Sequence, residues 1–176
     1  MLKQRVAPLI LRRTKDQVAK ELPPKTELVH LIELHTAQKD LYETVRATMN
    51  KRVREAIAAH AAAGKGLVLL HPGLWYNWGN WPAYNRELAG GGSRGHDAYG
   101  EFEVTASSVK HPLMQGVPEN FKLSDELYYY EADPAGTSIQ VLATARSKSK
   151  NKDFPQVFVV NHPKARIAGI TLGHDG

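Results

Sequence analysis

The sequence predicts an α/β fold, and three features carry that expectation. The first is a short apolar run, Leu67-Val68-Leu69-Leu70, set between Gly64 and Gly66 on one side and His71-Pro72-Gly73 on the other. A run of this length between glycines suits a strand buried on both faces of a parallel sheet. The second is the segment ahead of it, Ala37 to about Ala63, where Leu41, Val45, Met49, Val53 and Ile57 recur every four residues and read as a long amphipathic helix. The third is the chain behind it, where Glu101–Thr105, Leu127–Tyr130, Ile139–Ala145 and Gln156–Val160 have the alternating or β-branched content of strands.

The remaining elements follow in order. Leu2–Arg13 has helical spacing with a proline at position 8, and Thr14 stands a capping-box distance before Gln17. That short helix stops at Pro23-Pro24, and Thr26–Leu34 reads as a strand. Thr36 is the expected N-cap of the long helix, whose other face carries Lys39, Arg46, Lys51, Arg52 and Arg54. Ala83–Leu88 is expected to be a short helix ended by Gly90-Gly91-Gly92. Phe102 and Val104 should point inward, and His111–Pro118 should be a turn-rich loop. Arg146–Lys152 reads as a solvated loop, and Ala165–Leu172 should return antiparallel to Gln156–Val160.

Composition narrows the function classes. The 176 residues include no cysteine, so disulfides, thiolate metal sites and a cysteine nucleophile are all excluded. No apolar run approaches a membrane span and no signal-peptide core stands at the N-terminus, so a cytoplasmic protein is expected. The net charge of +5 belongs wholly to the first third: up to Ala63 there are 12 Lys+Arg against 7 Asp+Glu, and from Gly64 onward 11 against 11. That asymmetry fits either a solvated helix face or weak nucleic-acid binding.

Two stretches carry a resemblance to known families. The elements LRRTK (Leu11–Lys15), LPPKTE (Leu22–Glu27) and Gln38-x-x-Leu41-Tyr42 resemble a segment of Swi/Snf-type helicase-like ATPases, covering about residues 1–60. No phosphate-cradling G-x-x-x-x-G-K-[ST] loop accompanies them, so the resemblance does not imply ATP hydrolysis. From about Ala56 the chain resembles the ThuA-like (trehalose utilisation) family through GKGLVLLHPGLWYNWGNW, GGGSRGHD, EFEV, KHPLMQGVP, DELYYY, VLATARS and ITLGHDG. This resemblance implies a partial flavodoxin-like or class I glutamine amidotransferase-like three-layer sheet, preceded by a mainly helical segment with one strand. It also implies a domain of carbohydrate metabolism. On this reading residues 1–60 and 61–176 are two partial domains joined near Glu55–Ala63, the second lacking the family's first strands and its C-terminal helix. A sheet open in that way would invite a homodimer.

The amidotransferase-like fold places a cysteine nucleophile on the sharp turn after the strand equivalent to Leu67–Leu70. Here that turn holds His71, so transfer through a thioester is excluded. His71, His96 and His174 fall in turns, His96-Asp97 and His174-Asp175 pair an imidazole with a carboxylate, and Glu126 is the best carboxylate for acid/base work. His71, His96, Glu126 and His174 are therefore the candidate catalytic residues, and His111 is the weaker fourth histidine. Trp75, Tyr76, Trp78 and Trp81, with Asp175, are the candidate substrate-binding residues, the aromatics forming a wall for a sugar ring or else a satellite core. No cofactor is firmly implied, but two or three of the histidines with a carboxylate would make a divalent metal site of the zinc type. The expected function is thus a hydrolase or isomerase acting on a sugar or oxidised sugar. The alternative is a non-catalytic chimera whose basic helix touches nucleic acid.

Overall fold

The computed structural model describes residues 35–76 and 81–174, without the side chains at 42, 46, 48 and 49. The expectations for residues 1–34, including the Thr14–Gln17 cap and the Thr26–Leu34 strand, lie outside that range. The chain divides into two compact units, Met1–Thr44 and Val45–Gly176, and everything below from Val45 onward concerns the second.

Helix α1 runs from Thr36 to Ala62. Thr36 is already helical, and the residue ahead of it takes the cap: the His35 amide donates to Gln38 Oε1 at 3.2 Å, the backward half of a capping box. The helix ends in a Schellman motif. Gly64 adopts φ +74°, its amide donates to the Ala61 carbonyl, and the Lys65 amide reaches back to His60. The expected apolar stripe is not buried along its length, for Leu41, Val45 and Val53 are 66, 53 and 51% exposed, and of the described side chains on this helix Ile57 and Ala61 reach the core. A spacing of four advances the stripe about 40° around the helix at each step. It therefore spirals, and only its last members share one face.

Eight strands follow among the described residues: β1 (Leu67–Leu70), β2 (Gly91–His96), β3 (Gly100–Ala106), β4 (Asn120–Asp125), β5 (Tyr128–Ala132), β6 (Ile139–Ser147), β7 (Lys152–Val160) and β8 (Ile167–Ile170). Six form one sheet in the order β1-β8-β7-β6-β3-β4, and β2 and β5 form a separate antiparallel ribbon. The mixed α/β class is as expected, but among the described strands only β1 and β8 pair in parallel, beside one isolated parallel bridge between Trp75 and Ser93. β1 is also not buried on both faces. Leu69 lies in the core while Val68 and Leu70 are 63 and 55% exposed, because among the described residues β1 pairs only with β8 and is covered from one side.

β8 returns antiparallel to β7 with Val157 opposite Ile170 and Val160 opposite Ile167, as the sequence suggested. β7 is longer than Gln156–Val160 and runs through Pro155. Proline cannot donate to a ladder, but the β6–β7 register shifts between Val141 and Thr144, and Pro155 sits opposite Thr144 there. Two strands were not foreseen. β4 has an ordinary alternation, with Phe121 and Leu123 opposite Val104 and Phe102 in one apolar cluster. β2 begins inside the glycine run that was expected only to end a helix, and that helix is a single π-turn, Tyr84–Leu88.

The larger apolar cluster unites Ala61, Leu69, Leu74, Leu88, Tyr130, Phe158 and Ile167. Two tyrosines anchor it with their hydroxyls. Tyr84, its pKa pushed up to about 12 by burial, donates to the Gly73 carbonyl at 2.7 Å, and buried Tyr130 donates to the Ala89 carbonyl at 2.7 Å. Phe158 packs flat against β8, where a Cβ on Gly169 would come within 2.4 Å of its ring. Gly169→Ala should therefore destabilise the fold by about 2 kcal/mol, the usual scale of core overpacking. Gly100→Ala, whose Cβ would meet nothing closer than 3.8 Å, is the control, and the midpoint of urea unfolding is the measurement.

Candidate functional site

β1 and β8 run side by side in the same direction, so the chain leaves both at one end of the sheet. His71 follows β1 directly and is buried at φ +33°, in the left-handed region that a side chain bearing a Cβ seldom occupies. Its ring Nδ1 lies 2.6 Å from the Thr171 carbonyl, just beyond β8. A carbonyl can only accept, so Nδ1 carries the proton and Nε2 presents a lone pair.

That lone pair faces two other candidates. His71 Nε2 is 3.4 Å from His174 Nδ1 and 3.7 Å from Glu126 Oε2, and His174 Nδ1 is 3.3 Å from the same carboxylate oxygen. The second Glu126 oxygen is 3.8 Å from His96 Nδ1. All four residues singled out for chemistry are thus gathered around one carboxylate, although 103 positions separate His71 from His174.

Each partner is held in place by a different device. Buried Asp125 accepts from the amides of Gly173 at 2.6 Å, His174 at 3.3 Å and Glu126 at 2.7 Å, tying the turns that bear Glu126 and His174 together. His96 is aimed by a β-bulge: Ser93 pairs with Tyr130 and His96 with Tyr128, so three steps on β2 oppose two on β5. Without the extra residue His96 would face away from Tyr128. Its Nδ1 lies 2.8 Å from the Asp97 carbonyl and must donate to it, which leaves Nε2 as the basic nitrogen.

The Asp97 carboxylate is bound away from its neighbour His96. Ser149, Tyr129 (2.6 Å), Ser147 (3.1 Å) and the Lys148 amide (3.2 Å) all donate to it, which ties the β6–β7 turn to the ribbon. The "solvated" loop is therefore anchored. Burial alone would raise the Asp97 pKa, but these bonds outweigh it and hold the group below its ordinary value.

The aromatic wall is only partly present. Trp75 stands at the cluster, 5.9 Å from the His96 ring and 5.3 Å from Tyr128. Tyr76 points elsewhere, into a groove described below, and Trp81 packs on Tyr84 as core. Trp78 and Asp175 lie outside the described residues. His111 caps the Leu113 amide at 3.2 Å, a local structural contact.

The sequence reading passed over Tyr128, whose ring lies 4.2 Å from His71, and Tyr99, 6.1 Å from His174. Burial, then the charges of Glu126 and Asp125, raise the Tyr128 pKa, keeping the phenol protonated. Only the run DELYYY could have signalled it.

A profile of the trehalose utilisation (ThuA) family matches residues 25–176. The chain belongs to the ThuA family. The match begins ahead of the joint expected near Glu55–Ala63 and takes in α1. Among solved structures, a ThuA-like protein from Bacteroides uniformis ATCC 8492 is similar at 21% identity and TM-score 0.57, covering 69% of this chain and 54% of that one. Another, from Parabacteroides merdae ATCC 43184, is similar at 24% identity and TM-score 0.54, covering 63% and 50%. This ThuA-family chain therefore spans about half the length of those proteins, and at such identities the likeness speaks for the fold, which is consistent with the amidotransferase-like one expected. No curated protein matches it. No described helix is long and apolar enough to cross a membrane.

The Asp97 pKa gives a testable pH dependence. A carboxyl whose folded pKa is depressed contributes stability above its unfolded pKa and loses it as pH falls through the folded value. The stability gap between the wild type and Asp97→Asn should therefore be widest near neutrality and shrink through the carboxylate range. Urea unfolding at a series of pH values measures it, and a gap independent of pH would contradict the assignment.

Proposed function

We propose that the chain forms a metal-dependent, carbohydrate-directed site, acting as a hydrolase or isomerase on a sugar or oxidised sugar. One observation carries the reading. His71 Nε2, His174 Nδ1 and Glu126 Oε2 form a triangle with sides of 3.4, 3.3 and 3.7 Å. Nitrogen and oxygen ligands bound tetrahedrally to one zinc ion lie about 3.3 to 3.5 Å apart, given their usual bond lengths. The three residues are the group among the described ones that is placed to hold a metal. Their outer contacts suit that role: His71 donates its other ring nitrogen to a backbone carbonyl, as metal-bound histidines do, and Asp125 orders the turn bearing His174.

A zinc-type ion bound there supplies Lewis-acid polarisation of a carbonyl or hydroxyl oxygen. The protein supplies the rest. His96, its Nδ1 proton fixed on the Asp97 carbonyl, offers Nε2 to take a proton from the sugar or from water. Glu126 Oε1, beside His96, stabilises the imidazolium that results. Trp75 and the exposed ring of Tyr99 flank the cluster, and a sugar ring can lay its C–H face on either. The sugar class rests on the family's trehalose utilisation description.

Calorimetric titration of the apoprotein with zinc should give one site. His71→Ala and His174→Ala should abolish it, while Asp125→Asn, which touches no ligand atom, should weaken it by about 10- to 100-fold. Turnover of trehalose and of its keto and lactone derivatives should fall with the same variants. A protein that takes up no stoichiometric divalent ion, or one whose uptake survives loss of both histidines, would end the metal reading.

A further inference from the structure

The β2–β5 ribbon has a second face. Tyr128 and Tyr130 point to the cluster and the core, and Tyr129 between them points the other way, against Phe154 at 5.0 Å. On that side lies an open cavity of about 650 Å³. Glycines keep it open. A Cβ on Gly92 would come within 2.5 Å of the Tyr76 ring and one on Gly95 within 3.1 Å of the Tyr129 ring, so both rings lie close against the ribbon.

Cations rest on these rings. Arg94 lies 4.3 Å from the Tyr76 centroid, Lys150 is 5.4 Å from Tyr129, and Lys152 is 5.0 Å from Phe154. Two carboxylates also line the cavity, but each is already engaged: Glu131 by Lys152 at 3.1 Å, and Asp133 by Arg86 at 3.5 Å and the Tyr76 hydroxyl at 3.4 Å. Arg94 and Lys150 have no carboxylate partner among the described residues, so an excess of positive charge faces the cavity. Held over aromatic faces, the two groups are partly ordered before any ligand arrives, which lowers the entropic cost of capturing an anion.

We infer that this groove is a second ligand site, for a small polar molecule bearing an oxyanion, either a phosphate or a carboxylate. Arg94 and Lys150 bind the oxyanion, and the tyrosine edges with the Glu131–Lys152 pair meet the hydroxyl-bearing remainder. The site owes nothing to the metal cluster, which lies across the ribbon.

Glucose 6-phosphate, gluconate and glucose are the probes, titrated into metal-free protein and followed by amide chemical shifts. The two anions should bind with shifts centred on residues 92–95, 129–134 and 150–152, and glucose should bind at least about tenfold more weakly. A stronger response to one anion decides between phosphate and carboxylate. Arg94→Gln and Lys150→Gln, both at exposed positions, should each raise Kd about tenfold, while Lys148→Gln, outside the groove, should not. No anion binding, equal weakening by all three substitutions, or weakening by His71→Ala instead would overturn the inference. None of these outcomes bears on zinc uptake.

Discussion

The site depends on one hydrogen bond, from the His71 ring to the Thr171 carbonyl. It joins residues 100 positions apart, and it can form only because β1 and β8 run parallel and end together. It fixes the tautomer of His71 and supports a backbone conformation that would otherwise cost of order 1 to 3 kcal/mol. Thr171 is itself immobilised. Its amide donates to the Gln156 carbonyl at 2.9 Å and its hydroxyl donates to Gln156 Oε1 at 2.6 Å. The Gln156 amide in turn donates to the carbonyls of Phe154 and Tyr128. This buried polar chain runs from the strand bearing Tyr128 to the turn bearing His71 with its members paired, which a low-dielectric interior requires.

Asp125 plays the complementary part from the opposite side. A buried carboxylate is costly unless its oxygens are satisfied, and three backbone amides satisfy these. Because the amides belong to Glu126, Gly173 and His174, its solvation and the geometry of the cluster are a single requirement. Packing, polar satisfaction and the placement of Glu126 and His174 coincide here, with little freedom left for any one of them alone.

Much of this was legible in the sequence, and the losses have physical causes. The strand-then-histidine pattern at Leu67–His71 and the run ITLGHDG placed two residues at strand ends, and topology alone brought those ends together. Glu126 could be named because a carboxylate in DELYYY had no competing role. β2 was hidden because glycine has poor strand propensity, although here it is selected for close approach to Glu131 and the Tyr76 ring. The destination of the Asp97 carboxylate was not local, since its donors stand some 32 to 52 residues away. The described aromatics divide for a simpler reason: Trp75 and Tyr76, as neighbours in the chain, face opposite ways.

The bulge in β2 has a consequence for how this chain can vary. Side chains along the ribbon alternate between the histidine–carboxylate cluster and the basic groove, and a single inserted residue decides which of them His96 joins. Substitutions at Arg94, Gly95 or His96 can be explored one at a time. A change in length by one residue would instead hand His96 to the wrong compartment while β2 and β5 still paired. Selection on this ribbon should therefore tolerate new letters more readily than insertions or deletions.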